Sequence, residues 1–573
     1  MYNDIYIEKN TKEIDRVEYE DLSIQEAFEK VINRYPNKVA IVEGENALTY
    51  SQFNYRINQL VDYLKSKGVD KGKRVVIIAE RCIDSVAVIL SLIKIGAIYV
   101  PVDPEYPKGR IEYVINDCNA YAVCCFGDEV YTRKTIRLSH LKLKNEMLPN
   151  PVNCTKLDDP AYITYTSGTT GMPKGMIIPQ KAIIKLKVNA YNDLLLTEKD
   201  IIAQFSTMAS TASVSEIFFS LLIGATLVMT SKSNVLNVRE YEECCIKNKV
   251  NVLIVSPRYF MEINVSTINK VITLGEASNI DILNKVPENV EFINLYGTSE
   301  TGGAALCWHW DKRTKNYRKL PIGKSVKNVI TYIVDDGKIC DVGQIGELCI
   351  ATDGLMKGYL KLHNLTSAKI KPNPFGEGTI YHSGDRVMLQ EDGNIVYIGR
   401  VDDQIKINGY RVELSDVENS IKSEGQIKAC AVIAKENTYG EKQIHAYITS
   451  DNVIDIGAFR KDLLKKLPHY MMPSYIKQID KIPLTHNGKL DRTNLPDIEK
   501  SLINEIVFKN KIEERIFNIY KEILGTNCLD CEKSFFELGG NSLKAIKVIN
   551  EVAKVYNFEL SIQFFSSILQ LQR

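Results

Sequence analysis

From about residue 20 to 400 the hydrophobic pattern switches repeatedly between two periods. Apolar side chains recur at helical spacing over 24–34 and 50–67, which lines them up along one stripe of a helix. Between such stretches stand short β-branched runs, as at 39–42 and 74–78. A run that is apolar at every position suits a strand covered on both faces. The alternation predicts an α/β fold with largely parallel sheets and flanking helices. The longest apolar run, residues 86–102, is broken by Lys94 and contains Gly96 and Pro101, so it reads as a buried helix, a turn and a strand, not a membrane span. Farther on, strand-like segments at 332–335, 346–350 and 394–397 are separated by turns such as Asp336-Gly337 and Asp392-Gly393. They predict an antiparallel, β-barrel-like section closing the large unit.

After residue 400 the texture changes. Residues 401–497 read as a compact α+β unit, too short to belong to the first core, and a charged stretch follows at 496–510. The last segment is mostly helical in pattern and long enough for a small all-α bundle. Three domains are therefore expected, at 1–400, 401–497 and 508–573.

Composition narrows the function classes. The 573 residues are 45% hydrophobic and 25% charged, ordinary for a globular protein. Lys and Arg number 72 against 71 Asp and Glu, a net charge of +1, so no basic excess points to nucleic acid or an anionic membrane. The N-terminus is charged and lacks a signal-like apolar stretch, which points to the cytoplasm. The thirteen cysteines are scattered, and Cys528-Leu-Asp-Cys531, which alone has ligand spacing, has no second pair or His cluster beside it. They read as thiols in a reducing compartment, not as a metal site.

The densest chemistry lies in Tyr165-Thr-Ser-Gly-Thr-Thr-Gly-Met-Pro-Lys-Gly175, between two apolar, β-prone leads. Glycines let a backbone turn tightly and bring its N–H groups to an anion. Hydroxyls donate to phosphate oxygens, and the Lys174 ammonium adds a point charge. The stretch predicts a polyphosphate loop. It is not the common nucleotide loop, whose Lys follows a glycine and precedes Ser or Thr; here Pro173 precedes Lys174 and Gly175 follows.

This loop resembles the phosphate loop of the adenylate-forming enzymes, the superfamily of acyl-CoA ligases, luciferases and nonribosomal peptide synthetase adenylation domains. Blocks similar to the last branch follow one another from about residue 20 to 495. They are Leu48-Thr-Tyr50, Ile95-Gly-Ala-Ile-Tyr-Val-Pro-Val-Asp103, Asn294-Leu-Tyr-Gly-Thr-Ser-Glu300, Gly346-Glu-Leu348 with Lys357-Gly-Tyr-Leu360, and Tyr381-His-Ser-Gly-Asp385. Gly399-Arg-Val-Asp-Asp-Gln-Ile-Lys406, Gly409-Tyr-Arg-Val-Glu-Leu414, Leu467-Pro-His-Tyr-Met-Met-Pro473 and Asn487-Gly-Lys-Leu-Asp-Arg492 complete the series. In the tail, Ser534-Phe-Phe-Glu-Leu-Gly-Gly-Asn-Ser-Leu543 resembles the attachment site of a peptidyl carrier (thiolation) domain. Ser542 there is expected to open a helix, whose free N–H groups would suit a phosphodiester.

The resemblance implies that a carboxylate and ATP give acyl-AMP and pyrophosphate, and that the acyl group then passes to a thiol. Thr166, Ser167, Gly168, Thr169, Thr170, Gly171 and Lys174 would clasp the β- and γ-phosphates. Tyr296 would stack on adenine, Asn294 would face its amino edge and Ser299 would reach the α-phosphate. Glu300 would hold Mg²⁺, Asp385 would bind the ribose hydroxyls and Arg400 would assist at the nucleotide. Lys489 is the catalytic candidate: its ammonium would touch the attacking carboxylate and the α-phosphate, where charge shifts during attack. Because Lys489 lies in the small unit, that unit must close for adenylation, then rotate about a hinge at Asp402. The side carrying Gly409-Tyr-Arg411 would then line the path of the thiol. Ser542 would carry 4′-phosphopantetheine, so a phosphopantetheinyl transferase and downstream synthetase domains or tailoring enzymes are implied partners.

The acid pocket carried over by resemblance comprises Thr211, Ala212, Ser215, Ile254, Ile272, Leu274, Leu295, Gly303 and Ala304, closed by Lys489. Enzymes of the branch acting on α-amino acids carry Asp where Thr211 stands, to neutralise the substrate ammonium. No other pocket residue replaces that charge, and burying an unpaired ammonium costs several kcal/mol. The expected substrate is a hydrophobic acid without an α-amino group, such as an aryl, 2-hydroxy, 2-keto or alkyl acid. A hydrophobic α-amino acid held through backbone carbonyls is the alternative. Two further readings stay open: a stand-alone acyl-CoA ligase, which would not need the Ser542 tail, and an inactive nucleotide-binding scaffold. The early first block implies a loading module or a free-standing didomain, and the short final helix from about Phe564 implies continuation past Arg573.

Overall fold

A computed structural model describes residues 22–138, 148–166, 172–313, 319–401, 404–407, 410–436, 442–483, 494–496 and 510–524, with five more between 548 and 555. The expected first helix is Ile24–Arg34. Ser23 and Glu26 close its N-terminus as a capping box, and Ile24, Ala27, Phe28, Val31 and Ile32 form its buried stripe. The apolar run at 86–102 resolves into a buried helix, Ile83–Ile95, and a buried strand, Ile98–Val102. Gly96 joins them at φ +78°, a left-handed conformation that glycine adopts at low cost. Lys94, the charge inside that run, is buried and donates to the side-chain oxygens of Asn54, Asn58 and Asn150.

Two sheets carry the large unit. In the seven-stranded sheet, Pro160–Thr166, Ile98–Val102, Arg74–Ile78, Ala122–Cys125 and Lys134–Arg137 run parallel. Lys174–Pro179 and Gly358–Tyr359 extend it antiparallel. In the 15-stranded sheet, Glu291–Thr298, Lys270–Thr273, Val252–Val255, Ile201–Ala203, Thr226–Met229 and Val39–Glu43 form a parallel centre. The expected antiparallel strands are Val329–Asp335, Ile345–Thr352 and Ile395–Arg400, but they do not close a barrel among the described residues. The strand Pro321–Ser325 pairs with Gly303–His309 on one side and Ile395–Arg400 on the other. That double pairing splices the antiparallel strands onto the parallel sheet and leaves Lys338–Ile339 as an open edge.

The expected small unit contains a three-stranded sheet of Ala429–Glu436, Lys442–Thr449 and Tyr475–Gln478, covered by helices Leu414–Lys422 and Ile456–Leu464. Its core gathers Val412, Val417, Ile421, Val432, Ile444, Phe459 and Leu463. In the last segment the helix Lys511–Leu524 is described, with Phe517, Ile519, Tyr520 and Leu524 buried. No helix among the described residues is long and apolar enough to cross a membrane.

Candidate active site

The expected phosphate loop lies between two antiparallel strands, Pro160–Thr166 and Lys174–Pro179. Thr166 and Lys174 face each other at the end of that pair. Residues 167–171, and with them Ser167, Gly168, Thr169, Thr170 and Gly171, lie outside the described residues. So do Asp402, Lys489 and Ser542. Lys174 is 5% exposed, its ammonium 5.2 Å from the centre of the Tyr359 ring. The Tyr359 hydroxyl donates to Glu300 Oε1 at 2.9 Å, so one tyrosine links the expected phosphate lysine to the expected metal carboxylate. Glu300 is fully buried in the short turn Ser299–Thr301, which ends at Gly302 with φ +69°. A buried carboxylate oxygen beside the nucleotide residues fits a hard, oxygen-seeking cation such as Mg²⁺.

A single strand separates the two halves of the site. Side chains alternate across Glu291–Thr298, so Asn294 and Tyr296 face one side, Ile293 and Leu295 the other. On the first side Asn294 donates to Pro321 O at 2.7 Å and accepts from Thr273 and Ser278. The Tyr296 hydroxyl donates to Asp385 Oδ2, and burial beside that carboxylate pushes the phenol well above its ordinary range. Asp385 and Arg400 stand opposite each other on adjacent strands, with Arg400 Nη1 2.8 Å from Asp385 Oδ1. Adenine-facing and ribose-facing candidates thus share one surface.

On the second side, Ile254 pairs with Ile272 and Ile272 with Ile293 across the parallel ladder. Ile254, Ile272, Leu295 and Ala304 belong to one apolar cluster, against which Leu274 packs. Thr211, Ala212 and Ser215 enter from the first turns of the helix Thr211–Leu221, capped by Ser210. Gly303 sits at φ +103°, and a methyl group there would come within 3.1 Å of both Leu186 and Ser215. Thr211 Oγ1 donates to Ser299 Oγ at 2.7 Å. The position expected to decide whether an ammonium is tolerated therefore touches the residue expected at the α-phosphate. Glu216, in the second turn of that helix, is fully buried and accepts from the backbone N–H groups of Phe205 and Ser206, the Ser206 hydroxyl and Gln204. Burial pushes its carboxyl up to about 7, while these donors and the nearby Arg81 oppose the shift.

Three contributors carry no role in the sequence reading. Tyr359 lies in a recognised block, yet only the fold shows that it bridges Lys174 and Glu300. Glu413, in the small unit, places Oε1 3.5 Å from Lys174 Nζ, and both side chains are buried. Lys185 is the third. Its ammonium is buried beneath the pocket turn and donates to Thr301 O at 2.7 Å and Ala304 O at 2.9 Å. Burial pulls it down to about 7. Its sequence signal is a lone charge inside the apolar Ile183-Ile-Lys-Leu186.

The sequence pattern of the AMP-binding enzymes matches residues 28–360, and that of the phosphopantetheine attachment site matches residues 514–571. Gramicidin S synthase 1 of Brevibacillus brevis is 36% identical over 95% of this chain and 50% of its own length. Bacitracin synthase 1 of Bacillus licheniformis is 36% identical over 95% of this chain and 11% of its own length. The chain thus spans half or less of these relatives. Among solved structures, a holo NRPS protein containing adenylation and PCP domains, bound to a vinylsulfonamide inhibitor, superposes with a TM-score of 0.85 at 22% identity, covering 96% of each chain. A four-domain nonribosomal peptide synthetase bound to AMP and glycine superposes with a TM-score of 0.62 at 26% identity, covering 97% of this chain and 42% of that one. The chain belongs to the AMP-binding enzyme family, as an adenylation unit followed by a phosphopantetheine-attachment segment of the nonribosomal peptide synthetase type.

Proposed function

We propose that the protein activates a small carboxylic acid with ATP and loads it, as a thioester, on the 4′-phosphopantetheine of Ser542. The observation that carries this reading is the gathering of Asn294, Tyr296, Asp385 and Arg400 on one side of a strand, with the apolar cluster expected to line the acid pocket on the other. In the first step a carboxylate oxygen attacks the α-phosphorus and pyrophosphate leaves. Lys174 and the hydroxyls of its loop offset the charge on the departing phosphates, and Lys489 offsets it at the reacting carboxylate. Glu300 would hold Mg²⁺, which supplies charge neutralisation at the phosphates when bound. In the second step the thiol loses its proton, its sulfur attacks the acyl carbon and AMP leaves. A phosphopantetheinyl transferase must first modify Ser542, and downstream synthetase domains or tailoring enzymes consume the thioester. The setting is the cytoplasm.

The acid is hydrophobic and lacks an α-ammonium. In support, Thr211 brings no charge to the pocket and its hydroxyl donates to Ser299. Of the carboxylates near the pocket positions in sequence, Glu216 accepts from backbone N–H groups, Glu276 from the backbone N–H of Arg258 and Glu300 from Tyr359. Pyrophosphate exchange over a panel of acids tests this: deaminated analogues of phenylalanine or leucine should outrun the amino acids, and the reverse order would reject the assignment. Mass spectrometry of the holo protein given ATP and the preferred acid should show one acyl adduct, on Ser542. An adduct on free CoA alone would favour a stand-alone ligase.

A further inference from the structure

Outside the nucleotide and acid sites, three metal-ligating side chains converge on the sheet that carries Asp385. Glu347 and Cys349 are two residues apart on the strand Ile345–Thr352, on either side of an irregularity in its pairing with Thr379–Leu389. His382 stands directly opposite Cys349 on the strand Thr379–Leu389. Cys349 Sγ lies 3.5 Å from His382 Nδ1, and Glu347 Oε2 lies 2.9 Å from the same nitrogen. One ligand atom from each residue lies within 4.8 Å of the others. A ring nitrogen carries one proton or one in-plane lone pair, so it serves one of these neighbours in full and not both. Glu347 Oε1 accepts from the backbone N–H of Gly384 at 2.8 Å, an outer contact that fixes the carboxylate with Oε2 turned to the cluster. Cys349 is fully buried, whereas the His382 and Glu347 side chains are 19% and 27% exposed, which leaves one side of the triangle open to water.

We propose that Glu347, Cys349 and His382 bind a borderline divalent cation of the Zn²⁺ type, with water as fourth ligand, separate from the Mg²⁺ of the nucleotide site. Tetrahedral bonds of about 2.3 Å to sulfur and about 2.0 Å to nitrogen set the S···N separation near 3.5 Å, which this pair already meets. The carboxylate must move outward by roughly half an ångström for its own bond to form. Thiolate and imidazole select Zn²⁺ or Co²⁺ over Mg²⁺. Binding expels the thiol proton and uses the neutral imidazole, so the centre carries no net charge: two positive from the ion, one negative each from sulfur and carboxylate. The spacing 347, 349, 382 resembles no metal-binding motif, which is why the sequence gives no sign of it. The ion would tie the strand Ile345–Thr352 to Thr379–Leu389, the strand that carries Asp385.

The test uses the full-length holo protein, stripped with a chelator and titrated with Co²⁺. One equivalent should bind with a sulfur-to-cobalt charge-transfer band, displaced by Zn²⁺. Cys349→Ser should abolish the band, and His382→Gln, at a more exposed position, should weaken binding at least tenfold while the folded state survives by circular dichroism. Added Zn²⁺ should raise the melting temperature of the wild type and not of either variant. A titration without the band, or a band that persists unchanged in Cys349→Ser, would overturn the assignment.

Discussion

At Thr211 a single side chain would set the charge of the proposed acid pocket. An ammonium buried without a carboxylate costs several kcal/mol, of which one hydroxyl bond offsets about 1 kcal/mol. Thr211→Asp is therefore expected to raise kcat/KM for a hydrophobic amino acid at least tenfold relative to its deaminated analogue, measured by pyrophosphate exchange. Unchanged selectivity would remove Thr211 from that role. Gly303 would set the pocket's depth. Its φ of +103° is one that L side chains rarely adopt, and a methyl group there would press on Leu186 and Ser215 at 3.1 Å. Gly303→Ala should raise KM for the acid by about tenfold, from strain of about 1–3 kcal/mol, while KM for ATP stays within twofold. A parallel rise in both would mean a general distortion.

At the scale of elements, the pocket turn depends on a helix behind it. Lys185, on Gln180–Asn192, holds the carbonyls of Thr301 and Ala304, the two ends of the turn carrying Gly302 and Gly303. Its ammonium falls from 10.5 to about 7 on burial. Between pH 7 and 10.5 the unfolded chain therefore holds a proton that the folded chain has released, so stability rises with pH across that window. Below about 7 both states are protonated and the dependence vanishes. Lys185→Met should remove about one proton from the pH dependence of unfolding by urea between pH 7 and 10, and a slope equal to wild type would contradict the buried ammonium. Elements are also where the sequence was most legible. The capped amphipathic helix at 24–34, the strand 74–78 and the helix–turn–strand within 86–102 follow from periodicity and punctuation alone, because burial of one stripe or of both faces leaves a direct trace. The antiparallel strands were legible too, but not that Pro321–Ser325 splices them to the parallel sheet, since pairing between distant strands leaves no periodic mark. In the site, Asn294, Tyr296, Asp385 and Arg400 were readable as motif positions. Lys185, Tyr359 and Glu413 were not, because their partners lie 116, 59 and 239 residues away.

For the whole molecule, the contact between Lys174 and Glu413 matters most, because it joins the proposed phosphate loop to the small unit. Both side chains are nearly excluded from water, at 5% and 7% exposure, with 3.5 Å between charged atoms. A triphosphate claiming the Lys174 ammonium would compete with that carboxylate. Under the proposed function, the face of the small unit seen against the core, with the strand Tyr410–Glu413, would be the one suited to the step after pyrophosphate departs. The ring of Tyr410 stacks on Tyr470 at 4.1 Å and helps hold the strand Tyr410–Glu413 to its own unit. Neutralising the carboxylate should then have opposite effects on the two half-reactions. Glu413→Gln is expected to lower KM for ATP in pyrophosphate exchange about fivefold, equivalent to about 1 kcal/mol for one charge-assisted contact. The same change should slow single-turnover transfer of a preformed acyl-adenylate to Ser542 by a similar factor, because the arrangement that admits the thiol loses an anchor. The two rates must be measured separately, by exchange of labelled pyrophosphate and by quenched-flow mass spectrometry of the carrier segment. Equal slowing of both would mean that Glu413 supports the fold of the small unit and takes no part in the alternation. Faster adenylation with slower loading is what competition for one ammonium requires.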